Sequence, residues 1–325
     1  MRIAHVADLH LGFRQYHRLT PRGHNQREVD VGLAFERAIT GIIEARPDAV
    51  IVAGDLFHAV RPTNSAILLA FRQFSRLRAA LPDAPVIVIA GNHDTPRSSD
   101  TVSIFGLLHE LGLHVALDTP QRFVFPALDL SVLAVPHQAL FEQPRPGLEP
   151  AGAERHQVMV LHGETPDLFS AFHDGAEPGG AHLSEADLGR GAWSYVALGH
   201  YHVQHKVQER VWYSGALEYV SPNPWGELHE ERRQKLAGKG WLLVDLERGT
   251  VEPGGTLAGL GGPGCTRTRS VADRGRRRRS RGHRRRRRPA GGAECPEASG
   301  SRTRSFANSC VEGLRPAFPA RPPPP

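Results

Sequence analysis

The sequence predicts an α/β fold, a four-layer α/β/β/α sandwich, on three observations. Short apolar runs alternate with longer amphipathic ones at the start of the chain, a succession of strands follows, and coherent patterning stops near Val251. Ile3–Ala7, Ala49–Ala53 and Val86–Ala90 are compact and rich in β-branched residues, so they read as buried strands. Between them, Glu28–Arg46 and Thr63–Leu81 carry apolar residues at three- and four-residue spacing and read as helices, the second preceded by Pro62. Asp100–Leu111 reads as a third helix. Strands are then expected at His114–Leu117, Leu130–Val135, Gln157–Leu161, Tyr195–Leu198, Val211–Ser214 and Trp241–Leu246. Two packed sheets with helices outside accommodate this order.

Residues 1–251 therefore form one expected domain, and 252–325 a tail that is Gly-rich, then Arg-rich, then closed by Pro322–Pro325. With few apolar groups to bury, that tail cannot offset its ordering entropy and is expected to be disordered. The charge distribution follows the same division. Of the 325 residues, those from Cys265 onward hold 17 Arg, no Lys and 4 acidic groups, while the preceding body holds 23 basic against 30 acidic groups, a net charge of −7. The overall charge of +6 thus says nothing about nucleic-acid binding by the folded part. All three cysteines lie in the tail, so the body has neither a disulfide framework nor a thiolate metal site. Asp8 interrupts the stretch where a secretory signal needs apolar residues, and no apolar run is long enough for a membrane span. A soluble cytoplasmic protein is the expectation.

Five polar clusters directly follow strands. They are Asp8-Leu9-His10, Gly54-Asp55-Leu56-Phe57-His58, Gly91-Asn92-His93-Asp94, His162-Gly163 and Gly199-His200-Tyr201-His202. Strand carboxyl ends in α/β sheets line the ligand crevice, so such clusters can converge. Singly, each has an ordinary structural reading as a turn, a polar loop or a satisfied histidine. Their conjunction, in this order, does not. Carboxylate, imidazole and one amide oxygen without sulfur suit Mn²⁺, Fe or Zn²⁺. In an extended chain Asp8 and His10 would point to one side, as would His200 and His202. Asp55, with two oxygens, is the natural bridge between two ions.

This series of motifs resembles the calcineurin-like metallophosphoesterase superfamily, from Met1 to about Val251. The resemblance implies a metallophosphoesterase sandwich with Asp8, His10, Asp55 and His202 on one metal and Asp55, Asn92, His162 and His200 on the other. It also places His93 on the substrate phosphate or leaving oxygen, with Asp94 holding its imidazole.

Gly54-Asp55-Leu56-Phe57-His58 narrows the likeness to SbcD-type DNA repair nucleases, since protein phosphatases of the superfamily carry G-D-x-x-D-R-G there. His10-Leu11-Gly12, Arg27-Glu28-Val29-Asp30 and Tyr213-Ser214-Gly215-Ala216-Leu217-Glu218 are similar to that branch as well. It implies a DNA repair and recombination enzyme with Mn²⁺-dependent 3′→5′ exonuclease action on duplex ends and endonuclease action on single strands. His58 would be a second catalytic histidine on the DNA phosphate. An SbcC-type coiled-coil ATPase and a second copy of the chain are the partners it suggests. Arg61, Asn64 and Arg97 flank the motif loops as candidate DNA-backbone contacts. The remaining histidines, His5 and His137 among them, and the four tryptophans are read as structural.

The tail departs from this branch, which continues into a small capping domain and ATPase-binding helices. It reads either as an out-of-frame product of GC-rich DNA or as an Arg-rich arm for phosphate backbones. A stand-alone phosphatase or phosphodiesterase acting on small phosphoesters is the alternative function.

Overall fold

Strand residues alternate between two cores. In β2 (Ala49–Ala53), Val50 and Val52 face one side while Ala49, Ile51 and Ala53 face the other, and β3 (Val86–Ile89) repeats this with Val86 and Val88 against Ile87 and Ile89. Both faces are apolar because both are covered, as a parallel sheet between layers requires. The computed structural model describes residues 1–95, 104–166, 179–236 and 238–256.

β1 (Arg2–Val6), β2, β3 and β4 (His114–Ala116) run parallel, and β11 (Gly240–Asp245) and β12 (Thr250–Thr256) extend this sheet antiparallel beyond β1. The second sheet has the order β5 (Gln121–Phe125), β6 (Leu130–Ala134), β7 (His156–His162), β8 (Tyr195–Gly199), β10 (Val211–Tyr213), β9 (His205–Gln208), with antiparallel strands at its two edges. Ile51, Ile87 and Ile89 of the first sheet pack with Val132, Val158, Val160 and Tyr195 of the second.

On the outer face of the first sheet lie α1 (Gln26–Ala45), α2 (Asn64–Ala80) and α3 (Phe105–Glu110). The Asn25 side chain accepts from the amides of Arg27 and Glu28, and Thr63 accepts from Ala66, so each long helix starts on a capped turn. Val31, Ala34, Phe35, Ala38, Ile39 and Ile42 form the buried stripe of α1. The outer face of the second sheet is covered, among the described residues, by the 3₁₀ turns His137–Phe141 and Gly189–Gly191 and the buried Trp193, without long helices.

The two packed sheets, with helices outside the first, agree with the sequence-based expectation; among the described residues 3₁₀ turns take the place of a helical layer outside the second. Several elements do not. The edge strands β5 and β9 and the helix α4 (Pro224–Arg233) were not expected, and β12 carries the sheet past the boundary at Val251 to Thr256. Antiparallel pairing with β11 tolerates Pro253-Gly254-Gly255, which has no strand propensity of its own. The third expected helix begins at Phe105, with residues 96–103, and hence Arg97, outside the described residues. The expected tail from 257 onward lies outside them too. Trp225 is 60% exposed, so it is not the packing residue expected, whereas Trp193 and Trp241 are buried. No described helix is long and apolar enough to cross a membrane.

Candidate metal centre

The carboxyl ends of β1, β2 and β3 and those of β7 and β8 meet at one rim of the sandwich. His162 ends β7, and its Nδ1 donates to the carbonyl of Ala53 at the end of β2, 2.9 Å away, which ties the two sheets together. The amide of His200 donates to Asp8 Oδ1 at 2.9 Å and that of His93 to Asp55 Oδ1 at 3.0 Å. Backbone bonds from Asp8 to Gly54 (3.1 Å) and from His10 to Asp55 (2.9 Å) fasten the first two loops in register. Gly199 permits the closest approach: a Cβ there would sit 1.9 Å from the carbonyl oxygen of Ala53.

Asp8, His10, Asp55 and His200 all have positive φ, at 52°, 45°, 50° and 99°. Non-glycine residues in this region are held there by their surroundings and concentrate at functional sites. This corrects the extended-chain argument for Asp8-Leu9-His10: β1 ends at Val6, and both side chains are aimed by left-handed turns.

All the residues named from the five clusters are brought together. The ligand-type atoms of Asp8, His10 and His202 form one group, those of Asp55, His162 and His200 a second, each within 4.8 Å. Asp55 Oδ2 stands between the groups, 3.6 Å from His10 Nε2 and 3.4 Å from His162 Nε2. Asn92 Oδ1 lies 2.9 Å from His162 Nε2 and 3.0 Å from His200 Nδ1. His10 Nε2 and His202 Nε2 face each other at 3.2 Å.

These atoms fit cations. Among the described residues, Asp8 Oδ2 and Asp55 Oδ2 are fully buried and accept no hydrogen bond, and buried carboxylate oxygens are ordinarily satisfied. Burial alone would raise Asp55, but His162 and His10 beside it hold its carboxyl well below the usual range, so it stays anionic. Converging imidazole nitrogens and uncommitted carboxylate oxygens, with no sulfur, are hard-to-borderline donors for divalent ions.

His93 and His58 flank this centre, half-buried. His93 Nδ1 donates to the carbonyl oxygen of His58 at 2.9 Å, and His58 Nδ1 lies 3.3 Å from His10 Nδ1. Asp94 does not hold His93 as expected. Its buried carboxylate accepts the amides of Leu56 (3.0 Å), Phe57 (2.9 Å) and Gly91 (3.0 Å), so it joins the second and third loops. It lies in the turn that follows β3, where the buried amides of the two loops need an acceptor. Arg61 and Asn64 are exposed next to the second loop.

Two carboxylates escaped the sequence reading. Glu164 Oε1 lies 3.0 Å from His200 Nε2, and Glu227 Oε1 lies 3.3 Å from His202 Nδ1. Glu164 follows His162-Gly163 closely enough to have been suspected as a carboxylate partner of a ligating histidine. Glu227, on α4, carries no motif.

Residues 1–204 match the family model described as calcineurin-like phosphoesterase. The chain belongs to the calcineurin-like phosphoesterase family. Curated relatives include the DNA double-strand break repair protein Mre11 of Methanocaldococcus jannaschii, 28% identical over 256 residues, covering 76% of this chain and 63% of that protein. The protein of the same name from Methanopyrus kandleri is 29% identical over 264 residues, covering 77% of this chain and 55% of that one. In Methanosarcina acetivorans the figures are 30% over 261 residues, 77% and 39%. The chain thus spans less than two thirds of the length of the relatives it matches.

Proposed function

We propose that this phosphoesterase is a two-metal DNA nuclease of the cytoplasm, acting as a 3′→5′ exonuclease on duplex ends and an endonuclease on single strands. The observation that carries the metal reading is the placement of Asp55 Oδ2, buried and without a hydrogen bond among the described residues, between the two groups of imidazoles. Asp8, His10, Asp55 and His202 would hold one ion, and Asp55, Asn92, His162 and His200 the other, with Mn²⁺ suited to both. When bound, two such ions activate water as a nucleophile at neutral pH and offset the charge that develops on the phosphoryl oxygens.

The chain's own groups do the rest. With Nδ1 of His93 donating to the His58 carbonyl, a proton taken up at Nε2 makes the ring an imidazolium, and that proton can be passed to the leaving oxygen. His58, stacked on His93 with ring centroids 5.2 Å apart, fixes that ring's plane and adds a donor for a phosphate oxygen. Asp94 acts indirectly, by holding the loops that carry Asp55 and His93.

DNA as substrate follows from the Gly54–His58 segment and from relatives named as DNA double-strand break repair proteins. The same likeness supports an SbcC-type coiled-coil ATPase and a second copy of this chain as partners. The deciding assay compares, in Mn²⁺, a recessed duplex, a single-stranded circle and a nitrophenyl phosphodiester. Nuclease action predicts mononucleotide release from the duplex end and nicking of the circle. Turnover of the small ester alone would overturn the nuclease reading in favour of a small-molecule phosphodiesterase.

A further inference from the structure

Behind His202, on the side away from His10, lies a buried cluster of charge that belongs entirely to the end of the folded chain. Glu227 of α4 is 4% exposed and Lys239, in the turn before β11, is 7% exposed. Glu227 Oε1 accepts the amide of Ser221 at 3.2 Å besides facing His202 Nδ1, and its Oε2 is paired with Lys239 Nζ. The same ammonium donates to the main-chain carbonyl of His202 at 2.6 Å and pairs with Glu231 Oε1 at 3.2 Å. It also sits 4.8 Å over the ring of Tyr219, whose hydroxyl donates to Glu231 Oε2 at 2.6 Å.

We propose that Glu227, clamped by Lys239, is a positioning residue that fixes the His202 ring for the ion held with Asp8 and His10. Building on the metal reading above, this makes α4 a determinant of that ion's affinity. Three observations carry it. First, the two nitrogens of His202 are committed in opposite directions, Nδ1 to Glu227 and Nε2 to the gap it shares with His10 Nε2. A carboxylate accepting the Nδ1 proton selects the tautomer whose Nε2 lone pair is available to a cation. Second, Lys239 grips the same residue twice, through the carboxylate on its ring and through its own carbonyl. The pair thereby sets the ring's direction and its distance from the rim together. Third, Lys239, Glu227 and Glu231 are all buried, and a buried ion cluster is in general poor evidence of a contribution to stability, since burying charges is costly. The two carboxylates outnumber the ammonium, which leaves negative charge behind His202 and favours a cation in front of it.

The other group of ligands is fastened differently. His162 is held by the Ala53 carbonyl and His200 by Glu164, all inside the family-matched residues 1–204. Ser221, Glu227, Glu231 and Lys239 all lie beyond that match. The two ions should therefore respond differently to changes in α4.

The test uses the full chain with Glu227→Met, Glu227→Gln and Lys239→Met. Mn²⁺ binding is followed by equilibrium dialysis with metal analysis. Long-range ¹H–¹⁵N spectra of histidine-labelled, metal-free protein report which His202 nitrogen carries the proton. Wild type should bind two ions and show His202 protonated at Nδ1. Glu227→Met should weaken one ion by about 10–100-fold and leave the other unchanged, and His202 should lose its single tautomer. Glu227→Gln keeps an acceptor and should restore most of the affinity. Lys239→Met should fall between them, and the last two variants decide the matter if Glu227→Met does not fold. Unchanged binding and tautomer in all three variants would overturn the proposal while leaving the metal centre standing. So would equal weakening of both ions with a lower melting temperature of the metal-free protein, which marks a merely structural role. Wild type binding no Mn²⁺ would overturn the metal centre itself, and this proposal with it.

Discussion

The imidazole of His93 donates through Nδ1 to the carbonyl oxygen of His58 at 2.9 Å, and the two rings stack with their planes 22° apart. With Nδ1 engaged as a donor to that carbonyl, Nε2 is the atom of the ring assigned to proton transfer. His93→Gln should therefore keep both ions yet lose roughly 10²–10⁴-fold in turnover. Metal analysis beside kcat on duplex DNA checks this, and loss of the ions along with activity would place His93 among the ligands.

Asp55 Oδ2 is shared by the two imidazole groups, whereas Asn92, among the described residues, faces His162 and His200. Asp55→Ala should abolish binding of both ions, and Asn92→Ala should weaken one. Stoichiometry by inductively coupled plasma mass spectrometry separates the outcomes; a single residual ion at full strength in Asp55→Ala would rule out a bridging role.

Asp94 is a loop anchor, so its removal should register in stability before chemistry. Asp94→Ala strands three buried amides, each costing about 1–3 kcal/mol, so a destabilisation of roughly 3 kcal/mol or more is expected in urea unfolding. A variant as stable as wild type would show that water replaces the carboxylate.

Burial holds the His5 imidazole down to about 3, with its Nδ1 2.9 Å from the Tyr195 hydroxyl. The native state keeps His5 neutral while the unfolded chain takes up a proton below its ordinary value of 6.5. Its contribution is thus fully present above pH 6.5 and is lost progressively as pH falls toward 3. At pH 5 the loss is roughly 2 kcal/mol. His5→Phe should be less sensitive to acid between pH 7 and 5 in denaturant titrations of the metal-free protein, and equal slopes would show that His5 is not the source.

The body from Met1 to Gly264 is acidic while the segment Cys265–Pro325 is Arg-rich. We expect deletion of that segment to leave hydrolysis of a nitrophenyl phosphodiester unchanged. The salt dependence of DNA binding should flatten, by about 0.9 in the log–log slope for each phosphate that the segment's arginines no longer neutralise. Failure of the shortened protein to hydrolyse the small ester would make the segment part of the catalytic fold.

The chain's own pattern determined where most of the strands lie and which residues follow the central ones. Apolar runs such as Ala49–Ala53 and Val86–Ile89 are local signals, and the polar clusters that follow them fall at the sandwich rim because parallel strands align their carboxyl ends. Edge strands such as β9, with its half-exposed mixed sequence, carry no such signal and form because a neighbour offers hydrogen bonds. Tertiary structure alone decided how the site is aimed. Asp8, His10, Asp55 and His200 take left-handed conformations that their own sequence disfavours, held there by bonds such as that from the His200 amide to Asp8 Oδ1. It also decided that Asp94 anchors loops, that Glu164 and Glu227 back the two histidines of one motif, and that Lys239 is buried beside Glu227. Those pairings join residues far apart in the chain, and only the packing of two sheets and α4 brings them within hydrogen-bonding distance.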